Sequence, residues 1–230
     1  MAADLRAFER GFFGRLRQAA AADWTAYVEH DFVVRLADGS LPEPCFKHYL
    51  AQDYLFLIQF ARAWALAGYK ASTLEELRAA GAAMAGIVDV EMGLHVRYCA
   101  DWGLDEAAMA AVPEASATLA YTRFVLERGM AGDLLDLQVA LAPCIVGYAE
   151  IGRRLAALPS RRREGNRYDA WIEMYAGESY QDVALAAIEA LEASAARRGG
   201  AARFDDLARD FATASRLEAK FWQMGLDLGD

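Results

Sequence analysis

The sequence predicts an all-α protein, a single-domain multi-helix bundle running over residues 1–230. Three observations carry that expectation. Strong helix formers dominate the chain, and runs of β-branched residues are nearly absent. Apolar residues recur three and four positions apart, the spacing that gives a helix one buried face. The breaks between such stretches are short and marked by glycine, proline or Asp-Gly, so about eight or nine helices should pack as a bundle. No Gly-rich phosphate loop and no alternating strands appear, which disfavours nucleotide-binding folds.

Residues Asp4 to Val28 read as one or two helices with Phe8, Phe12, Leu16, Trp24 and Val28 facing inward. Leu36 to Pro44 carries Asp38-Gly39 and two prolines and reads as a loop. A helix should start near Pro44 and run to Gly68. Thr73, with Glu76 three residues on, forms a capping box for a helix reaching about Trp102. Asp105 to Val112 is a short helix stopped by Pro113, and Ser116 to Arg128 is one ended by Gly129. The basic stretch SRRREG, within Pro159 to Gly165, reads as a solvated loop. Arg167 to Tyr175 and Glu178 to Arg197 are helices broken at Ala176-Gly177, and the Gly199-Gly200 pair links to a last helix, Phe204 to Leu226.

The helix from Asp133 onward organises the rest. In Leu134 to Leu158, the residues Leu137, Leu141, Cys144, Tyr148, Ile151 and Leu155 form one buried seam. Pro143 removes a backbone donor within it, at a cost of roughly 3 kcal/mol, and should kink the helix. A buried cysteine usually packs as a small hydrophobe. A thiol and a phenol beside a kink instead suggest a pocket.

Composition narrows the function. The chain is 56% hydrophobic, with a net charge of −9 and a pI near 4.9, so nucleic acid and anionic membranes are poor partners. No run of about 18 apolar residues is present, so no segment is expected to span a bilayer. The first residues, MAADLRAFERGFFGRLRQ, carry charges every few positions and lack the apolar core of a signal peptide. Cys45, Cys99 and Cys144 are widely spaced and odd in number, which fits a reducing cytosol rather than a disulfide framework. These features predict a soluble cytoplasmic protein.

Polar residues that interrupt apolar stripes are the candidates for function. Asp53 lies in the stripe of Leu50, Leu57, Phe60 and Trp64, and Glu218 in that of Phe211, Ala214, Phe221, Trp222 and Gly225. A buried carboxylate is costly unless paired or hydrogen-bonded. Tyr121, Tyr148 and Tyr175 lie near apolar faces, where a phenol needs a partner for its hydroxyl. Glu91 and His95, one turn apart, read as a structural hydrogen-bonded pair; the chain lacks the two Glu-x-x-His motifs of a di-iron bundle, and no zinc pattern appears. His30 and His48 have no comparable context. A thiol, two buried acids and several rings suit a flat aminopyrimidine. The thiolate would add to an electron-poor ring carbon while an acid protonates a ring nitrogen. The ring amino group would then help expel a leaving group from the adjacent methylene carbon; water replaces it and the thiolate departs.

Five segments in order resemble one family: FKHYLAQDYLFLIQFAR at 46–62, EMGLH at 91–95, APCIVGYAEIG at 142–152, WIEMYAGESY at 171–180 and LEAKFWQMG at 217–225. The chain is similar, over nearly its whole length, to the thiaminase II (TenA) family, which has a haem-oxygenase-like all-helical fold. The resemblance implies hydrolysis of thiamine-derived aminopyrimidines to hydroxymethylpyrimidine for salvage, cleavage of thiamine itself, a homotetramer and no cofactor. It implies that Cys144 is the nucleophile, Asp53 the holder of the ring nitrogen and exocyclic amine, and Glu218 the acid/base. Tyr148, Tyr175 and Tyr121 would orient the pyrimidine or the carboxylates. Phe56 stands where the family often has tyrosine, keeping the ring and losing a hydroxyl. Having Cys144 places the chain in the cysteine-containing branch. Alternatives on the same architecture are a haem or di-metal oxidoreductase and a non-catalytic pyrimidine- or protein-binding module.

Overall fold

Each helix begins and ends where local chemistry allows. The computed structural model describes residues 5–229 and contains no strand among them. After a short 3-10 turn, Leu5–Phe8, come α1 (Gly11–Ala19), α2 (Ala21–Val28), α3 (Asp31–Asp38) and α4 (Glu43–Lys70). Then follow α5 (Leu74–Ala85), a π-helical segment Gly86–Glu91, α6 (Met92–Asp101), α7 (Glu106–Ala111) and α8 (Ser116–Ala131). The chain closes with α9 (Leu134–Ala142), a second π-helical segment Pro143–Gly147, α10 (Tyr148–Ala157), α11 (Asp169–Ala176), α12 (Glu178–Arg197) and α13 (Phe204–Asp227). Asp4, the expected start of the first helix, lies outside the described residues. The segments outnumber the eight or nine expected, chiefly because the N-terminal run divides and each long apolar helix is interrupted by a π turn.

The capping box forms: Thr73 accepts from the Glu76 amide at 3.2 Å, while the Glu76 carboxylate reaches back to Ser72. Asp105 caps α7 through the Ala108 amide at 2.7 Å. His30 caps α3, whose span absorbs residues expected to lie in a loop. Gly129 does not end α8. It lies inside the helix, where a Cβ would meet Leu66 at 2.7 Å, so the glycine serves a close contact. The helix ends at Gly132, whose carbonyl accepts from Lys70 at 2.7 Å. The basic loop is solvated as expected, with residues 159, 160 and 162–165 exposed; Arg161 alone turns its side chain in, 4% exposed, to pair with Asp169 and Glu173.

The helices group into two compact units. One comprises residues up to Leu41 together with Gln138–Trp222, and the other Pro42–Leu137 with residues from Gln223 on. In the first, Trp24 stacks on Phe211 at 5.4 Å and Phe32 on Trp222 at 5.1 Å. Phe8, Phe12, Leu16, Trp24 and Val28 are all buried there, as their spacing predicts. In the second, Phe46 on α4 meets Trp102 at 4.8 Å, while Phe60 and Trp64 are only half-buried.

Two helical runs, Leu74–Asp101 and Leu134–Ala157, reach the length and apolar composition of a membrane span, with mean hydropathy 1.2 and 1.5. The sequence expectation that none would do so counted unbroken apolar runs, whereas an average over a window tolerates a charge or two. In the most apolar 18-residue stretch of the second run 89% is buried, as in the core helix of a globular protein; in that of the first, 11%.

Candidate active site

Pro143 has no N–H to give to the preceding turn, and there the helix opens into the π segment that carries Cys144. Tyr27 closes over that segment. Its hydroxyl donates to the Pro143 carbonyl at 3.2 Å. Its ring lies so close to Gly147 that a Cβ at that position would sit 2.2 Å from a ring carbon. Cys144 is buried, 8% exposed, and its S–H donates to the Leu141 carbonyl at 3.0 Å.

One turn on, the Tyr148 ring lies 5.0 Å from Tyr175, 5.3 Å from Trp222 and 6.0 Å from Trp171. Trp171 and Tyr175 are 4.5 Å apart, so four rings from α10, α11 and α13 make one wall. Glu218 lies one turn before Trp222 and is 1% exposed. Gln181 donates to the carbonyls of Tyr175 at 2.8 Å and Ala149 at 2.9 Å, tying the end of α11 to α10. The first unit thus holds Cys144, Tyr148, Tyr175 and Glu218.

The second unit holds Asp53, Phe56 and Tyr121. Asp53 is buried on α4, and desolvation pushes its pKa up to about 7 against the opposing hydrogen bond from Tyr49. Phe56 stacks on Tyr121 at 5.3 Å with the ring planes 30° apart. Gln52, beside Asp53, fixes the spacing of that pair. It donates to the Pro113 carbonyl at 2.9 Å and accepts from the Ala115 amide at 2.9 Å and the Thr118 hydroxyl at 2.7 Å. The start of α8 is thereby pinned to α4 one turn from both rings.

Glu91 and His95 do not form the expected structural pair. His95 bonds the Leu50 carbonyl at 2.9 Å and turns its other nitrogen to Asp53, 3.6 Å away. His48 bonds the Gly229 carbonyl at 3.0 Å. Gln52, Gln181 and Tyr49 escaped sequence reasoning, although Gln52 is a second polar residue in the run that exposed Asp53. Among the described residues, no three His, Cys, Asp or Glu side chains converge as a metal site. An open cavity of about 560 Å³, lined by Arg10, Phe12, Arg15 and Glu192, contains none of the candidate residues.

The profile of the TENA/THI-4/PQQC family matches residues 17–228. An aminopyrimidine aminohydrolase of Halalkalibacterium halodurans is 34% identical over 215 residues, covering 93% of this chain and 94% of its own. A protein of Haemophilus influenzae named only as uncharacterized is 39% identical over 214 residues, with coverage of 93% and 98%. A crystal structure from a Silicibacter species, described as a TenA family transcription regulator, aligns with a TM-score of 0.88 at 45% identity. It covers 94% of this chain and 96% of that one.

Proposed function

The chain belongs to the TENA/THI-4/PQQC family, and from that premise we propose that it hydrolyses thiamine-derived aminopyrimidines in thiamine salvage. The reaction would convert 4-amino-5-aminomethyl-2-methylpyrimidine to hydroxymethylpyrimidine and ammonia, with thiamine as a further substrate. The observation that carries this reading is the buried thiol of Cys144, on a π turn that leads into a wall of four aromatic rings. A flat heterocycle suits such a wall, and a thiol that must first lose its proton suits a nucleophile with a carboxylate acceptor. A relative of matching length is named an aminopyrimidine aminohydrolase.

In this reading Cys144 adds to the ring and Glu218 moves protons. Asp53 holds the ring nitrogen and exocyclic amine, while Tyr148, Tyr175, Tyr121 and Phe56 orient the pyrimidine. Addition of sulfur to a ring carbon places a proton on a ring nitrogen. The nitrogen lone pairs then expel ammonia from the methylene carbon, water adds there, and loss of the thiolate restores the aromatic ring. The whole chain acts as one domain, in the cytoplasm, as a homotetramer. A net charge of −9 opposes a nucleic-acid partner of the kind a transcription regulator needs.

The test is ammonia release from 4-amino-5-aminomethyl-2-methylpyrimidine, run beside thiamine. Turnover is expected in the wild type and should fall by at least about a thousandfold in Cys144→Ala and Glu218→Gln. Normal turnover by Cys144→Ala would remove the covalent route. Tight binding of hydroxymethylpyrimidine without hydrolysis of either substrate would make the protein a binding module.

A further inference from the structure

In the second unit Asp53 lies among polar groups of which only Tyr121 has a role in the reaction above. Around Asp53 on α4 stand Tyr49 from the same helix, Glu91 from the first π segment, and His95 and Cys99 from α6. From α7, Glu106 is held by the Tyr54 hydroxyl at 3.2 Å; from α8, Tyr121 lies on Phe56.

The His95 side chain is 9% exposed and that of Asp53 12%. His95 Nε2 lies 2.9 Å from the Leu50 carbonyl, which can only accept, so Nε2 carries a hydrogen. In a neutral ring Nδ1 then presents a lone pair, and it faces Asp53 Oδ2 at 3.6 Å. An ionised carboxylate would meet that lone pair with repulsion, and a carboxyl O–H with attraction. The remaining arrangement, imidazolium facing carboxylate, would keep two charges out of water, and 3.6 Å is too long for the charge-assisted hydrogen bond that repays that cost. Burial acts against it from both sides, lowering the His95 pKa and raising that of Asp53 to about 7 over the opposing hydrogen bond from Tyr49. Glu91 is a second carboxyl group in the same surroundings, pushed to about 7 by burial and by Asp53, so the two acids resist holding a negative charge each. Cys99, driven to about 12, stays a thiol.

We infer that His95 and Glu91 are positioning residues that keep Asp53 as the neutral acid in the resting protein. Resting on the aminopyrimidine reading, this defines what Asp53 recognises. A carboxylic acid offers a donor and an acceptor side by side, matching an unprotonated ring nitrogen next to an exocyclic amine. An ionised Asp53 would set two acceptors against that edge. The substrate class is then a neutral 4-aminopyrimidine, and its binding weakens as Asp53 loses its proton.

A ¹³C NMR titration of aspartate-labelled protein tests the inference without any ligand, with the Asp53 signal identified by its loss in Asp53→Asn. The expected midpoint is about 7 in the wild type. It should fall by a unit or more in Glu91→Gln, which removes a like charge, and in His95→Gln, which can turn a donor towards Asp53 in place of the lone pair. A wild-type midpoint near 4, or imidazolium ¹⁵N shifts for His95 at pH 6, would overturn the inference whatever the variants do. Calorimetry with hydroxymethylpyrimidine between pH 5.5 and 8.5 tests the consequence: affinity should drop about tenfold per pH unit above the Asp53 midpoint. Affinity that stays flat across that range would overturn the recognition role. A midpoint near 7 with no binding at any pH would support the proton assignment and overturn the pyrimidine reading.

Discussion

A carboxylate buried to 3% exposure, as Glu150 is, persists only where its charge is answered. Arg17 donates to it at 2.8 Å and the Trp24 indole at 3.1 Å. Glu150→Ala strands the buried Trp24 indole and leaves the part-exposed Arg17 to solvent, and is expected to cost about 1–3 kcal/mol, read as an earlier midpoint in urea unfolding. Glu150→Gln keeps one acceptor and should cost less. Asp53 and Glu218 were legible from sequence because each interrupts an apolar stripe. Glu150 was not. It follows Ala149 and sits close to Arg153 and Arg154, so its face reads as polar, and its partners lie 133 and 126 residues away, a pairing that helical spacing does not encode. The same holds for His95, whose partner Asp53 belongs to another helix.

At the scale of elements, helix existence was legible and its interruptions were less so. Thr73, Asp105 and Pro113 act locally and mark their boundaries, because a cap needs only neighbouring residues. Gly129 was misread because a glycine inside a helix and one ending it look alike until the opposing leucines are known. Pro143 announced an irregularity, while Tyr27, which holds it, comes from a distant helix. Two variants test that support. Tyr27→Phe removes one buried hydrogen bond and is expected to cost about 1 kcal/mol. Gly147→Ala forces a methyl into the Tyr27 ring and should cost about 1–3 kcal/mol. In both, turnover and the alkylation rate of Cys144 should change more than thermal stability does. Equal activity with lowered stability would mean that the π turn keeps its shape without Tyr27.

At the scale of the whole molecule, the run Leu74–Asp101 is the outlier, because only 11% of its most apolar 18-residue stretch is buried, which leaves apolar surface unanswered. Leu77, Val88, Val90 and Leu94 are each about half exposed on it. With the proposed tetramer, this helix is the surface to test. Val88→Asp together with Leu94→Asp should convert the assembly to a smaller species in sedimentation velocity with helicity retained. An unchanged sedimentation coefficient would place the interface elsewhere. The sequence announced this helix but not its exposure, since an apolar pattern does not say whether the covering surface is the same chain.

The first unit is assembled from stretches at opposite ends of the chain, and that has a consequence for synthesis. Trp24 waits for Phe211, and Tyr27 and Phe32 wait for Trp222. On a ribosome adding roughly 5–20 residues per second, those rings emerge roughly 10–40 s before their partners exist. Early in that interval the second unit's sequence emerges, and the helices of the first unit from α10 onward follow only afterwards. The nascent chain therefore carries these aromatic side chains without their α13 partners until translation nears its last turns of helix, which makes this early segment the natural client of a holding chaperone.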